Sequence, residues 1–202
     1  AEAEDGRLVG HYALERNQEG RVAEGGQAVV DPAHRGRGLL SRMKEAALAA
    51  ARDFKLVGLC FDAVTVHTRT QKSHAHHGAH VTCADLGIAP ETEHFRGFSA
   101  EQPQRVTCLL YFLWLQSPGP RTVYVPESHR PLVDAIYRNL GCPVTFDDGA
   151  APEGHGKLTV QIDTAGGRAF LRADTLGRDT LTALRHARRE LIEHEHAEVV
   201  FV

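Results

Sequence analysis

At 202 residues the chain is long enough to bury a sizeable core, as one large domain or two small ones. Its 42% hydrophobic and 24% charged residues are those of an ordinary globular protein, and 26 acidic against 23 basic side chains argue against nucleic acid as a main partner. No apolar run approaches the roughly 20 residues that a membrane span needs. The four cysteines, Cys60, Cys83, Cys108 and Cys142, form no CxxC pair, which suits thiols in a reducing cytoplasm. No signal-peptide pattern opens the chain, no initiator Met is present, and the sequence stops on the strand-like Val199–Val202. The expectation is a cytoplasmic fragment of a longer protein.

Residues 7–14 and 21–30 read as two strands joined by a polar turn at 15–20. Apolar residues at helical spacing, Leu39, Leu40, Met43, Ala47, Ala50, Ala51 and Phe54, predict a helix from Gly38 to about Phe54. Strand character returns over 56–66, a short helix fits Gln71–His77 and stops at Gly78, and strands follow at 81–88 and 106–115. A polar loop containing Pro90 and Pro103 joins the last two. The order β-β-α-β-α-β-β makes an α/β or α+β unit with a mixed sheet. Gln116–Pro120 is the best linker. Beyond it come a strand at 122–125, a helix over 127–140 closed by Gly141, a hairpin at 158–172 around Ala165-Gly166-Gly167, a helix from Asp179 to about His196 and a strand at 198–202. The expected domains are 1–116 and 120–202.

The most informative segment is 29–43, Val-Val-Asp-Pro-Ala-His-Arg-Gly-Arg-Gly-Leu-Leu-Ser-Arg-Met. An apolar strand end runs into a proline turn, a basic loop with two glycines, and the start of a helix. Glycines let backbone N–H groups at 35–39 approach a ligand, and the helix start adds its unpaired N–H groups and positive dipole end. With Arg35 and Arg37 adding charge, the segment is a candidate pyrophosphate cradle. Ser41 at the helix start could reach a phosphate oxygen.

This arrangement resembles the GNAT acyltransferase family, which transfers acyl groups from acyl-CoA and carries an Arg/Gln-x-x-Gly-x-Gly/Ala loop after a bent strand. The corresponding stretch is Ala33-His34-Arg35-Gly36-Arg37-Gly38, with Ala33 in place of the usual Arg or Gln. The resemblance covers about residues 7–115. It implies a mixed, mostly antiparallel sheet flanked by helices, and the second half looks like a smaller, partial α/β module of the same kind. It also implies a CoA pyrophosphate at His34, Arg35, Gly36, Arg37, Gly38, Leu39 and Ser41, with pantetheine on the backbone of Val29 and Val30 along the splayed strand 24–30.

An amine would then attack the acetyl-CoA thioester directly, with no metal expected. The resemblance places a base at Glu24. It places the acid for the leaving thiolate at His74, where the family often has Tyr four residues before the glycine that ends the short helix. The acceptor would be a small-molecule amine, a protein lysine or an N-terminus, its pocket built partly from the loop at 89–104; a homodimer is compatible. Two rival readings stay open. One is a non-catalytic acyl-CoA-binding or sensory module of a larger regulatory protein, favoured by Ala33 and the missing Tyr. The other takes His67, His74, His76, His77 and His80 as a zinc-binding cluster, which Gly78 interrupts and no carboxylate or cysteine spacing completes.

Overall fold

The computed structural model describes residues 1–16, 20–93, 104–195 and 197–202. Parts of the turn expected at 15–20 and of the loop at 89–104, and the helix end at His196, lie outside the described residues.

In chain order the elements are β1 (Gly10–Glu15), β2 (Val22–Val30), a 3-10 turn (Pro32–His34), α1 (Leu39–Asp53), β3 (Gly58–Val64), α2 (Arg69–His76), β4 (His80–Ala89) and β5 (Val106–Trp114). There follow β6 (Arg121–Val123), a second 3-10 turn (Glu127–His129), α3 (Arg130–Asn139), β7 (Val144–Phe146), β8 (Lys157–Asp163), β9 (Arg168–Thr175), α4 (Thr180–Glu193) and β10 (Val199–Phe201). The expected elements are present with their ends moved by a few residues, and β7 is an addition. It pairs in parallel with β6, Arg121 opposite Val144, once α3 has carried the chain back.

The chain divides into two compact units, 1–84 with 109–146, and 85–108 with 147–202. The Gln116–Pro120 segment therefore lies inside the first unit, and the unit boundary falls within β4 and β5. A five-stranded sheet has the order β1-β2-β3-β5-β4. β1 and β2 are antiparallel, whereas β2 and β3 are parallel. The links from Thr82 to Leu110 and from Gly87 to Thr107 show β4 and β5 running in opposite directions.

In the first unit the core is built from Ala23, Leu48, Ala51, Leu56, Leu59, Phe61, Ala63, Ala79 and Tyr111. Alternate residues of β3, Leu59, Phe61 and Ala63, face it, as a half-buried strand requires. From α1 the buried stripe is Lys44, Leu48 and Ala51. This differs from the expected stripe, whose last member, Phe54, is 63% exposed. The helix is rotated about its axis so that a lysine, four residues from both Leu40 and Leu48, points inward.

The second unit contains the sheet β10-β9-β8, with a small core of Ala169, Leu171, Leu191 and Ala197. Arg105 ties it internally, donating to Gly87 O at 2.7 Å, Gly166 O at 2.8 Å and the Glu198 carboxylate at 2.5 Å.

Candidate functional site

The first unit contains a wedge between two parallel strands. β2 pairs with β3 only at Val22–Gly58, Ala23–Leu59 and Glu24–Cys60. Beyond those pairs β2 continues to Val30 against β1, with Val29 opposite His11 and Val30 opposite Gly10, while β3 runs on to Val64. A bulge in β2 helps part them: Gln27 and Ala28 together face Tyr12 of β1, where the register shifts between His11 and Ala13, and Gln27 takes a left-handed φ of 51°. Strand edges that face each other without pairing leave backbone N–H and C=O groups for an extended ligand to complete.

At the end of β2 the chain enters the glycine loop. Asp31 opens the 3-10 turn and accepts the Ala33 N–H at 2.8 Å, the bond that does most to hold its carboxyl below the usual range. His34 N–H goes to Asp31 O at 2.8 Å and Arg35 N–H to Pro32 O at 3.3 Å. Arg42 N–H to Gly38 O at 3.1 Å is the first bond of α1. Between these, the amides of Gly36, Arg37, Gly38, Leu39, Leu40 and Ser41 donate to none of the described residues. Gly38 occupies the N-cap with no side-chain cap hydrogen bond, so the helix start is left uncapped among the described residues. Gly36 and Gly38 have φ of 75° and 73°, and a Cβ at either would meet nothing within 4 Å. They are glycine for their backbone angles and face open space.

The side chains around this nest are only lightly held. Arg35 Nε donates to Val30 O at 3.1 Å, and an Arg37 guanidinium N–H donates to Ala33 O at 3.3 Å. His34 Nδ1 lies 3.6 Å from the Asp31 carboxylate. Ser41 Oγ turns along the helix to Glu45 at 3.3 Å. Arg35 and Arg37 are exposed and need only swing to meet an anion. The nest is thus displaced from the expected 35–39 to 36–41, because the Arg35 amide is already engaged.

Glu24 lies at the mouth of the wedge, in the last β2–β3 pair and opposite Glu15 of β1. Partial desolvation, then the Asp62 and Glu15 carboxylates, push its pKa above the ordinary value. Cys60, its partner in register, is pushed up by burial and then by the Glu24 and Asp62 carboxylates. A carboxylate raised in this way is a better base than one in open water.

His74 occupies a different environment. It is 4% exposed, stacked on Phe61 at 4.8 Å and tilted against Tyr111 at 5.2 Å. Beside it, Lys44 is 2% exposed and places Nζ 2.7 Å from His74 Nδ1, 3.4 Å from Ser73 Oγ and 4.9 Å from the centre of the Phe61 ring. Burial lowers Lys44 to about 8. Burial and then the Lys44 charge lower His74 to about 4. Two cations 2.7 Å apart in a buried site would repel strongly, so the pair carries at most one charge, and it belongs to the amine, the stronger base. An ammonium has only donors, so Nδ1 accepts and the ring proton sits on Nε2, which contacts Asp62 O at 3.3 Å. Asp62 lies beyond the last β2–β3 pair, where β3 has parted from β2.

A sequence profile, the Acetyltransferase (GNAT) family, matches residues 2–79. Residues 2–79 belong to the GNAT acetyltransferase family. No curated protein matches the chain significantly. Among solved structures, an IAA acetyltransferase from Bacillus cereus is 14% identical, with 55% of this chain and 72% of that one covered at a TM-score of 0.47. A Bacillus subtilis acetyltransferase in complex with CoA is 15% identical, with 56% and 73% covered at 0.48. The ribosomal-protein-S18-alanine N-acetyltransferase from Escherichia coli is 13% identical, with 58% and 68% covered at 0.48. With TM-scores below 0.5, the family assignment rests on the match over residues 2–79.

The GNAT family uses acetyl-CoA, and the wedge, the nest at 36–41 and Glu24 all fall within the matched residues. Sequence reading missed Lys44. Its signal was a lysine four residues from a leucine on either side along one helical face. Two of the other clustered histidines make local contacts: His77 Nδ1 contacts Ser73 O at 2.7 Å, and the His76 and His77 rings meet edge-on. Among the described residues no three His, Cys, Asp or Glu are grouped to hold a metal ion. Nor is any helix among them long and apolar enough to cross a membrane.

Proposed function

We propose that the chain transfers an acetyl group from acetyl-CoA to an amine by direct attack. The observation that carries this reading is the wedge between β2 and β3, leading into six amides with no acceptor in the described chain. Pantetheine would extend along the parted edge of β2 toward Val29, the Val30 carbonyl being engaged by Arg35. The pyrophosphate would take the amides of 36–41, with Arg35, Arg37, His34 and Ser41 around it. Glu24 would remove a proton from the acceptor ammonium. The free amine adds to the thioester carbonyl, and the tetrahedral intermediate expels CoA thiolate, which takes up a proton. His74, at the family's donor position, could give that thiolate only the Nε2–H. The acceptor would be a small amine or a protein amino group, in a cytoplasmic setting that suits four cysteines outside any disulfide. A homodimer and a division into an acyl-CoA-binding domain at 1–116 and a partial second module at 120–202 belong to the same reading.

A second reading, binding without turnover, is favoured by the burial of His74 and the engagement of both its ring nitrogens. Calorimetry with acetyl-CoA, followed by thiol release over an amine panel, separates the two. Binding plus turnover that Glu24→Gln abolishes supports transfer. Binding with no turnover by the unaltered protein supports the sensory module, and no binding removes both.

A further inference from the structure

We propose that Lys44 is the positioning residue behind this site: at neutral pH it fixes His74 as a neutral imidazole protonated on Nε2, so that His74 offers the parted end of β3 an N–H from an uncharged ring. The role in acetyl transfer rests on the function proposed above; the placement of the proton does not. The geometry is specific. A side chain 2% exposed on α1, the helix that begins at the nest, reaches Nδ1 of a ring 4% exposed on α2 at 2.7 Å.

The groups facing the ring come from four elements. Lys44 approaches from α1, His77 caps the end of α2, Phe61 and the Asp62 carbonyl belong to β3, and Tyr111 belongs to β5. Lys44 is the one cation among the groups that meets a ring nitrogen directly, and no carboxylate of the described residues lies within 4.0 Å of its Nζ. A second proton on His74 would set two cations 2.7 Å apart in a buried site, so the imidazolium is excluded electrostatically. The tautomer is excluded as well, since a proton on Nδ1 would point at an ammonium with no lone pair.

Lys44 also joins the binding half of the site to the reacting half. The nest starts α1, and Lys44 lies little more than one turn further on. A shift of α1 on ligand binding would be passed to the His74 ring through a single charge-assisted bond.

The test is imidazole NMR on the full chain labelled with 15N, using long-range proton–nitrogen correlations at about pH 7. The expected result is one protonated nitrogen on His74, Nε2, and an Nδ1 signal displaced toward that of a hydrogen-bonded acceptor. In Lys44→Met that displacement disappears and His74 titrates at a higher pH than in the parent. A parent ring protonated on Nδ1, or a Lys44→Met protein whose Nδ1 signal and titration are unmoved, overturns the proposal. If Lys44→Met does not fold, the parent tautomer alone decides. None of these readings needs acetyl-CoA, so a failure to bind it would strike only the acetyl-transfer reading.

Discussion

The first and second turns of α1 treat polar groups in opposite ways. At the first turn, the amides of Gly36–Ser41 have no acceptor among the described residues, and Gly36 and Gly38 face open space. Little more than one turn on, Lys44 is among the most buried side chains in the chain, with its ammonium held by His74, Ser73 and the Phe61 ring. Unsatisfied donors at the surface are stable because water fills in, and they are ready for an anion that replaces the water. A buried cation with neutral partners is costly, and it persists only where its surroundings over-determine it. The first turn is built to exchange partners and the second to keep them.

The comparison can be broken most sharply at the nest. Gly36→Glu or Gly38→Glu sets a carboxylate where the pyrophosphate would lie and forces a side chain onto a left-handed backbone. Calorimetry should show acetyl-CoA affinity falling at least about a hundredfold, close to 3 kcal/mol. The fold should survive, because the added Cβ meets nothing within 4 Å and the backbone strain is only about 1–2 kcal/mol.

At the second turn the expected sign is reversed. Replacing both partners, Lys44→Met with His74→Leu, should raise stability in urea unfolding by about 1–3 kcal/mol. Lys44→Met alone should gain less, since it leaves the His74 Nδ1 without its donor. A double variant less stable than the parent would show that the pair holds the core together.

The pair also sets a pH signature. Folded His74 has its pKa lowered from 6.5 to about 4, so its contribution is complete above 6.5 and is lost as pH falls toward 4. Folded Lys44 is lowered from 10.5 to about 8, so the cost of burying its charge is relieved as pH rises from about 8 toward 10.5. Unfolding midpoints measured across pH should therefore fall on the acid side and rise on the alkaline side, provided other groups are matched by the double variant, which should be flatter in both windows. The smallest effects belong to the rim of the nest. Arg35→Ala should weaken acetyl-CoA binding by roughly 1 kcal/mol. Ser41→Ala, whose hydroxyl already contacts Glu45, should change stability by less than about 0.5 kcal/mol.

Much of this was readable in the sequence. Hydrophobic periodicity and glycine punctuation located α1, β3 and α2 to within a few residues, and the two glycines at 36 and 38 marked the nest because only a left-handed backbone exposes consecutive amides in this way. What escaped depends on tertiary register. The parting of β2 from β3 after Glu24 follows from where two distant segments meet and from the bulge at Gln27 and Ala28, and neither leaves a periodic mark. Lys44 escaped for a related reason: lysine favours helices and solvent, so a lysine within the apolar stripe reads as a helix-former until packing turns that face inward. The surroundings of His74 needed the same information: its place four residues before Gly78 was legible, but not its stacking on Phe61 or the Lys44 Nζ 2.7 Å from its Nδ1.

The central claim is that the amides at 36–41 await a CoA pyrophosphate. Backbone amide NMR of the full chain titrated with CoA tests it directly. The account predicts the largest shifts at Gly36–Ser41, with smaller ones along β2 from Gly25 to Val30. CoA that binds while leaving those amides unmoved, or that does not bind at all, would contradict it.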